Sequence, residues 1–532
     1  MLPGLMQETP LTLHTIFERM RTVHADGEVV SSEGRRTYGE LSYRILRLAR
    51  ALRDDFGVGP GDRVATFAFN SARHFELYWA VPLLGAVLHT VNVRLFPEQI
   101  SYIVNHASDK VVFFDAELAA RLAEVAPELT TVERYVRMGD GDDAGLPAVL
   151  DHDEVVGAAE PMESLPEVPE NAAFGLCYTS GTTGMPKGVL TSHRAMWLHS
   201  MATCMAGTLA VRETDRIFPI VPMFHAFGWG LPYAAPFTGA ELIFHGSDNS
   251  PETIGRIITD ERVTVTAGVP TIWTQLLPLV REGKVDASSL RGIYVGGSAL
   301  PRPLIEAYDA LGIDIIQMWG MTETGPLACI SWPRRRHAGV DKATEYDVRE
   351  KTGTIFPGIE ARIVALDGTP VAWNGRTVGE LEVRGPWIAR AYFNDDSSDE
   401  KFHDGWLRTG DMAWMELDGT FRIVDRAKDL VKSGGEWISS VELEGLLIGH
   451  PKVRDAAVVG IRSRTWDERP VAVIVPEDDA PTLEDINAFL APKVAKWWLP
   501  DDVVVVEDIP RTSVGKIDKK ALRASLGDME LP

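Results

Sequence analysis

The chain has 532 residues, 45% of them hydrophobic and 24% charged, which is the composition of a globular protein large enough for more than one domain. Its formal net charge of −23 argues against binding to nucleic acid or to anionic membrane surfaces. Its three cysteines lack the spacing of a disulfide framework or a zinc site. Residues 1–13 do not read as a signal peptide, and the most apolar window, 78–93, is too short to cross a bilayer. We therefore expect a cytoplasmic protein with no integral membrane segment.

Apolar segments of strand length alternate with helical segments up to residue 318. Strands are predicted at 63–69, 86–92, 110–115, 174–178, 189–191, 215–221, 240–245, 263–267, 291–295 and 313–318. Helices are predicted at 72–85, 97–106, 193–206, 251–260, 270–281 and 301–311. Repeated β–α units with apolar strands predict an α/β fold, with parallel sheets covered by helices on both faces.

The pattern changes after about residue 350 to short β segments. These lie at 353–366 and 379–384 and around Asp418-Gly419, a dipeptide typical of hairpins. The tail is predicted to contain strands 453–461, 470–475 and 502–506 and helices 482–496 and 518–526, enough for a small core of its own. We predict a large N-terminal domain over 1–427, with parallel α/β sheets plus a small β-rich subdomain, and a small mobile α+β domain over 428–532.

A short segment rich in hydrogen-bond donors joins two strands just after a polar, proline-rich connector at 161–170. Its hydroxyls, glycines and ammonium group are typical of a loop that wraps a polyphosphate. The segment is not a P-loop, because Pro186 stands where the second glycine belongs and Gly188 where the magnesium-binding hydroxyl belongs. The alternative is a surface turn. The candidate ligands are Thr179, Ser180, Gly181, Thr182, Thr183, Gly184 and Lys187.

A second candidate site follows the predicted strand 313–318. Trp319 offers a face for adenine, Thr322 a hydroxyl for a phosphate, and Glu323 a hard oxygen ligand for Mg²⁺. The alternative is a capped helix start. Upstream, Gly296-Gly297 lies at a strand-to-helix junction, where paired glycines permit a flat ligand to approach, although a tight turn is an equal alternative.

Four further segments carry charged or aromatic side chains. Asp411 and Arg426 flank the predicted hairpin and form either a site that chelates a ribose diol or an ordinary cross-strand ion pair. The basic, glycine-bearing stretch 426–437 is typical of a hinge beside an anion. The basic stretch 510–520 presents Lys516 directly after a glycine, where its charge could lie between two anions. The alternative for this second stretch is a solvated basic tail. Residues 221–233 are crowded with aromatics, as a core or a dry slot would be.

Taken together, these motifs resemble those of the adenylate-forming superfamily, which contains acyl-CoA synthetases, luciferases and the adenylation domains of peptide synthetases. The resemblance covers essentially the whole chain, with the motifs in the expected order. It implies that Thr179 and Glu323 contact magnesium, that Asp411 and Arg426 contact the ribose, and that Lys516 catalyses adenylation. The other contacts that it implies with the nucleotide are made by Gly297, Gln317, Trp319, Thr322, Lys432 and Trp437, and by Lys428 as the hinge.

The resemblance also implies a reaction. His225 and Ala226 match residues beside the acyl-binding site, and Trp229 resembles the gate tryptophan of bacterial fatty-acyl-CoA synthetases. We therefore expect an enzyme that uses ATP, Mg²⁺ and coenzyme A to convert a medium- or long-chain fatty acid to acyl-AMP and then to acyl-CoA. The expected partners are these small molecules, with a homodimer as the candidate assembly. The alternatives are another acid (aromatic, short thioether, steroid-type, or nitrite), another acceptor, or a non-catalytic nucleotide-binding protein.

Overall fold

The computed structural model describes residues 1–179, 185–365, 367–396, 398–433, 436–512, 517–527, 529 and 531. In chain order, the strands are β1 (Glu28–Ser31), β2 (Gly34–Thr37), β3 (Arg63–Phe67), β4 (Val87–Thr90), β5 (Asp109–Asp115), β6 (Arg134–Met138), β7 (Val149–Asp151), β8 (Ala173–Tyr178), β9 (Gly188–Ser192), β10 (Arg216–Pro219), β11 (Glu241–Ile243), β12 (Val265–Gly268), β13 (Gly292–Val295), β14 (Ile315–Gly320), β15 (Leu327–Ile330), β16 (Thr354–Ile355), β17 (Glu360–Val364), β18 (Gly379–Arg384), β19 (Phe402–His403), β20 (Trp406–Met415), β21 (Phe421–Arg426), β22 (Val431–Ser433), β23 (Glu436–Ile438), β24 (Val453–Ser463), β25 (Asp467–Pro476) and β26 (Asp502–Val505).

The α-helices lie between these strands and, in the first half of the chain, follow the predicted alternation. They are α1 (Leu13–Thr22), α2 (Tyr38–Asp54), α3 (Ala72–Ala80), α4 (Pro97–Ala107), α5 (Ala119–Val125), α6 (His152–Ala158), α7 (His193–Cys204), α8 (Leu231–Thr238), α9 (Pro251–Asp260), α10 (Pro270–Arg281), α11 (Arg302–Asp309), α12 (Lys342–Arg349), α13 (Ser398–Lys401), α14 (Ser440–Ile448), α15 (Leu483–Leu490) and α16 (Lys519–Ser525).

The first sheet has seven strands in the order β7-β6-β5-β3-β4-β8-β9. Its neighbouring strands are parallel apart from β8 and β9, which pair antiparallel. The predicted strand–loop–strand around the phosphate segment is therefore confirmed at its two strands. The Ser192 hydroxyl then caps α7 by accepting the backbone N–H of Ala195 at 3.2 Å.

The second sheet has nine strands in the order β16-β15-β14-β13-β12-β10-β11-β1-β2. Its centre, from β14 to β1, is parallel, and both of its edges are antiparallel. The parallel α/β prediction is thus confirmed for the interior of both large sheets. Aromatic rings pack together between α3, α8 and β8. The ring centroids of Trp79 and Tyr233 are 5.2 Å apart, and those of Tyr233 and Phe174 are 5.3 Å apart.

Two smaller β-rich sheets follow. The third is antiparallel, contains β17 to β21, and includes the predicted Asp-Gly hairpin between β20 and β21. The fourth contains β22 to β26 and pairs antiparallel except for the parallel strands β25 and β26. Residues 427–430 form the turn between the two sheets. The β-rich subdomain and the α+β tail are therefore both present.

Prolines explain where predicted helices were too long. The predicted helix 482–496 ends at Leu490, two residues before Pro492, because proline has no backbone N–H to continue the i→i−4 hydrogen bonds of the helix. The predicted helix 72–85 ends at Ala80, and Pro82 then opens a short 3₁₀ turn that Gly85 terminates at φ +72°. Within the described part of the chain, no helix is long and apolar enough to cross a membrane.

Candidate active site

A cavity of about 1080 Å³ lies where strands of the two large sheets end. Its walls are built from the residues that follow the carboxyl ends of β8, β10, β12, β13 and β14, the edge at which α/β folds bind ligands. The third sheet, the helices α4 and α10, and residues 392–396 and 400–401 also contribute to the walls. Of the predicted site residues, this cavity brings together Thr179, Lys187, His225, Ala226, Trp229, Gly297, Thr322, Glu323 and Arg426.

The two ends of the predicted phosphate loop are fastened to each other. The backbone N–H of Thr179 donates to the carbonyl of Lys187 at 2.9 Å, and the N–H of Lys187 donates to the Thr179 hydroxyl at 3.1 Å. The Lys187 ammonium lies 3.1 Å from the Asp395 carboxylate and 5.0 Å from the centre of the Tyr392 ring. Ser180, Gly181, Thr182, Thr183 and Gly184 lie outside the described residues. The ends of the loop therefore hold a hydroxyl and an ammonium at the cavity.

Thr322 and Glu323 are presented by a 3₁₀ turn that directly follows β14. The capping hydrogen bond of this turn is made by Thr324, whose hydroxyl accepts the N–H of Met321 at 2.8 Å. The side chains of Thr322 and Glu323 therefore line the cavity while Thr324 caps the turn. The Tyr392 hydroxyl donates to Oε1 of Glu323 at 2.5 Å. Burial and the adjacent Glu323 carboxylate raise the pKa of Tyr392, so its hydroxyl keeps the proton that it donates.

Two oxygen-bearing side chains of this cavity would suit a magnesium ion. Thr179 and Glu323 present a hydroxyl and a carboxylate, which are the kinds of hard ligand that Mg²⁺ prefers. Among the described residues, no cluster of three or more histidine, cysteine or acidic side chains could hold a metal alone. Mg²⁺ typically binds through one or two protein ligands together with substrate phosphates, so this sparse donor set suits it.

Asp411 and Arg426 occupy paired positions on β20 and β21 and form an ion pair of 2.6 Å. The cross-strand ion pair anticipated from the sequence is therefore present, and Arg426 also lines the cavity. The indole N–H of Trp319 donates to the second carboxylate oxygen of Asp411 at 2.9 Å. Trp319 thus supports Asp411 and packs edge-on against Phe421, and it is not among the residues lining the cavity.

Lys401, at the end of α13, is a cavity-lining cation that sequence reasoning missed. It approaches the backbone of β20 closely: a Cβ added at Gly410 would lie 3.4 Å from the Lys401 ammonium. Burial lowers its pKa, an effect opposed by the carboxylates of Glu323 and Glu380. Those carboxylates bond to other groups, because Glu380 pairs with Arg408 and Glu323 accepts from Tyr392. The Lys401 ammonium is therefore placed to meet an anion in the cavity.

The segment that carries Trp229 has an unusual backbone. Residues 226–229 have φ between +37° and +55°, in the left-handed region that most side chains avoid. This turn places the Trp229 indole against Gly296, where an added Cβ would lie 2.7 Å from the ring. The flat group that approaches Gly296 is thus the protein's own tryptophan. Gly297, at φ +88°, faces the cavity, and the side chain of Gln317 holds the loop by accepting the N–H of Leu300 at 2.9 Å.

Apolar side chains line the cavity together with Trp229. They include Ile220, Val221, Pro222, Ala226, Val269, Ile272 and Met318. The backbone of Ala226 is held by Cys177, whose sulfur accepts a hydrogen bond from the Ala226 N–H at 3.1 Å. Burial raises the pKa of Cys177 to about 11, so it is a thiol at neutral pH and a packing group.

Besides Trp319, the predicted residues Gln317, Asp411, Lys428, Lys432 and Trp437 are not among the residues that line the cavity. Lys428 sits in the turn between the third and fourth sheets. Lys432 and Trp437 face each other across the β22–β23 hairpin, with the ammonium 5.1 Å from the indole ring. Lys516 lies outside the described residues. Besides Lys401, the sequence analysis missed Tyr392 and Asp395, whose only signal was a polar and aromatic run, 390–395, shortly after the strand β18.

Comparison with known proteins decides the family. Residues 17–393 match the AMP-binding enzyme family, and residues 442–516 match the AMP-binding enzyme C-terminal domain. The chain belongs to the AMP-binding enzyme family. The resemblance to adenylate-forming enzymes, drawn from the motifs, is therefore confirmed.

The relatives cover the whole chain. It is 43% identical to a long-chain-fatty-acid–CoA ligase of Thermus thermophilus, over 98% of this chain and 96% of that one. It is 40% identical to a medium-chain-fatty-acid–CoA ligase of Ectopseudomonas oleovorans (99% and 98% covered) and 40% identical to a 3-methylmercaptopropionyl-CoA ligase of Ruegeria pomeroyi (99% of each). The solved structure of the anthranilate CoA ligase AuaEII with anthranoyl-AMP superposes with a TM-score of 0.88 at 26% identity, covering 98% of this chain and 99% of that one. Within the family, the chain is an acyl-CoA synthetase, as its motifs predicted.

Proposed function

We propose that this acid:CoA ligase acts on a medium- or long-chain fatty acid. One observation carries the proposal: the same cavity is lined by Trp229 with apolar side chains from the segments after β10 and β12, and by the polar side chains of Thr179, Thr322 and Glu323. In this proposal the apolar part is the slot for the acyl chain and the polar part is the phosphate-binding wall. An alkyl chain fits the slot, and its carboxylate then meets the phosphate-binding wall. Two relatives at 43% and 40% identity, named for long- and medium-chain fatty acids, support this assignment.

ATP and coenzyme A are the co-substrates of this reaction. In the first step, a carboxylate oxygen attacks the α-phosphorus of ATP, an acyl O–P bond forms, and the P–O bond to pyrophosphate breaks. In the second step, the thiolate of coenzyme A attacks the acyl carbonyl, a C–S bond forms, and AMP leaves. Neither step forms a covalent bond to the protein. The protein therefore contributes by positioning the reacting groups and by neutralising the charge of the phosphates and the carboxylate.

The cavity residues have separate roles in this proposal. Thr179 and Glu323 would hold Mg²⁺ with the phosphates, and that ion would offset phosphate charge. Thr322, Lys401 and Arg426 would face the nucleotide as a hydroxyl and two cations. Lys516 would neutralise charge between the carboxylate and the α-phosphate during adenylation, as the family resemblance implies. The apolar slot excludes water from the alkyl chain and aligns the carboxylate.

The two-domain division belongs to the same proposal. β21, the last strand of the third sheet, ends at Arg426, and β22, the first strand of the fourth sheet, begins at Val431. Lys428 lies in the intervening turn, which is the natural place for a rotation between 1–427 and 428–532. A homodimer and a cytoplasmic location stay predictions from the sequence.

A short thioether acid is the second candidate substrate. The Ruegeria pomeroyi relative is named for 3-methylmercaptopropionate, and it is as similar to this chain as the medium-chain relative, at 40% identity. The two assignments differ in how much of the apolar slot the substrate fills.

A chain-length series separates these substrates. Each methylene buried in the slot contributes up to ~0.8 kcal/mol, so kcat/KM should rise roughly fourfold per carbon until the slot is full. The assay compares straight-chain acids with 3-methylmercaptopropionate and measures acid-dependent AMP release. Trp229→Ala should flatten the rise or shift the turnover, while Trp373→Ala, at a partly exposed residue outside the cavity lining, should change nothing. A flat series, or a short thioether acid that exceeds every straight-chain acid, would reject the fatty-acid assignment.

A further inference from the structure

The backbone of the segment 389–395 is hydrogen-bonded both to the turn after β14 and to the start of β9, two elements that line the cavity. The N–H of Ala389 donates to the carbonyl of Glu323 at 2.8 Å, and the N–H of Phe393 donates to the carbonyl of Gly188 at 2.8 Å. The N–H of Tyr392 itself donates to the hydroxyl of Ser398 at 2.9 Å. The backbone at Tyr392 is therefore held in place relative to the residues following β14 and to the start of β9.

The side chain of Tyr392 contacts functional groups from both sides. It is 8% exposed, and its hydroxyl donates to Oε1 of Glu323 at 2.5 Å. The Lys187 ammonium lies 5.0 Å from its ring centre, within the range of a cation–π interaction. Phe402 packs edge-on against the same ring at 5.2 Å between centroids. One buried ring thus fixes a carboxylate through its hydroxyl and supports an ammonium on its face.

The chemical nature of this partner distinguishes Glu323 from neighbouring carboxylates. Asp395 pairs with Lys187, Glu380 with Arg408, and Asp411 with Arg426, so each of those negative charges is offset by a cation. Glu323, at 5% exposure, instead accepts a hydrogen bond from a neutral phenol, and the charge of Lys401 acts on it at longer range without a direct ion pair. A phenol restrains the carboxylate through one oxygen, leaves its charge in place, and leaves the second oxygen for another ligand.

We propose that Tyr392 is a positioning residue that holds the Glu323 carboxylate, with its negative charge intact, ready to bind a divalent cation together with nucleotide phosphates. The proposal rests on the assignment of Glu323 as a metal ligand under the proposed function. Without the hydroxyl, the carboxylate would gain rotamer freedom that metal binding must then remove. The loss of the hydroxyl is therefore expected to act first on metal affinity, and on catalysis only as a consequence.

Tyr392→Phe tests this directly, because it removes the hydroxyl and keeps the ring beneath Lys187. Mn²⁺ affinity is measured by electron paramagnetic resonance in the presence of α,β-methylene-ATP, whose α–β bridge cannot be cleaved and which therefore cannot transfer AMP to an acid. We expect Mn²⁺ binding to weaken roughly fivefold to tenfold, less than the full value of a hydrogen bond to a charged group, because the carboxylate itself remains to bind the ion. Binding of the same analogue in EDTA should change less than twofold. The control is Tyr346→Phe, whose hydroxyl donates to Asp309 at 2.8 Å outside the cavity lining.

A double-mutant cycle separates positioning from general loss of structure. In a Glu323→Gln background, Tyr392→Phe should cause no further loss of Mn²⁺ affinity, because its effect passes through that carboxylate. Unchanged Mn²⁺ affinity in Tyr392→Phe, or a full additional loss in the Glu323→Gln background, would overturn the proposal whatever the melting temperatures are. The proposed function fails separately, if the unmodified enzyme releases no AMP with any acid.

Discussion

The guanidinium of Arg426 holds the carboxylate of Asp411 at 2.6 Å, while the indole of Trp319 donates to its other oxygen at 2.9 Å. Side chains from β14 and β21 thus fix one carboxylate of β20 through its two oxygens. A ribose diol that reaches this carboxylate finds an acceptor whose orientation is already set, so little side-chain entropy is lost on binding.

Asp411→Asn should therefore weaken AMP binding tenfold to a hundredfold, since a hydrogen bond to a charged group contributes roughly 1.5–3 kcal/mol. Isothermal titration with AMP measures this. Glu360→Gln is the matched control, because Glu360 and Arg384 are also paired partners in the third sheet and lie outside the cavity lining. Equal AMP affinity in Asp411→Asn and the native chain would show that the pair is purely structural.

Lys401→Met should lower ATP affinity about fivefold to tenfold, because it removes a positive charge beside the phosphates at an interaction energy of about 1 kcal/mol. The loss should shrink in high salt, as screening weakens the interaction. Lys351→Met is the control, since Lys351 pairs with Glu416 away from the cavity lining. An unchanged ATP affinity at low salt would remove Lys401 from the site.

Lys519→Ala should lower the free energy of unfolding by about 3–5 kcal/mol. The Lys519 ammonium is buried, contacts Ser440, and lies 2.8 Å from Glu444, while Asp425 accepts the N–H of Ser440 at 2.7 Å. Its removal leaves buried carboxylates uncompensated. Denaturant titration measures the change, with the exposed neighbour Lys520→Ala as a control that should be nearly neutral. A small effect at Lys519 would mean that water compensates the carboxylates.

Asp115→Asn should stabilise the protein at pH 8 and do so less at pH 5. Burial raises the pKa of Asp115 to about 7, although its carboxylate accepts the N–H of Phe69 at 2.7 Å. A carboxyl whose pKa is raised in the folded state contributes stability that is present below about pH 4 and lost as the pH rises through 7. Asparagine keeps an acceptor for Phe69 without the charge. Melting temperatures across this range check the sign, with the exposed Asp140→Asn as a control; a gain that grows toward pH 5 would contradict it.

The sequence predicted those parts of the site that follow strand ends. Thr179, Gly297 and the adjacent pair Thr322 and Glu323 are distant from one another in the chain, yet each comes within three residues of the end of an apolar strand, so parallel pairing brings them to one cavity. The same logic predicted the interior of both large sheets.

The remaining parts depend on tertiary contacts that no local pattern encodes. Tyr392 and Lys401 lie in irregular chain or on a four-residue helix, and their roles follow from which groups they meet across the cavity. The left-handed turn at Ala226 to Trp229 could not be predicted, because those side chains do not favour positive φ. Helix α2, in contrast, was not predicted although the sequence carries a local signal for its start, because Thr37 and Glu40 form a capping box.

The most direct test of the account follows oxygen atoms from the acid. A medium-chain fatty acid labelled with ¹⁸O in its carboxylate is incubated with the enzyme, ATP, Mg²⁺ and coenzyme A, and the products are analysed by mass spectrometry. If the carboxylate attacks the α-phosphorus, one labelled oxygen must appear in AMP and none in pyrophosphate. Label in inorganic phosphate together with ADP, or unlabelled AMP alongside acyl-CoA, would contradict the acyl-adenylate route.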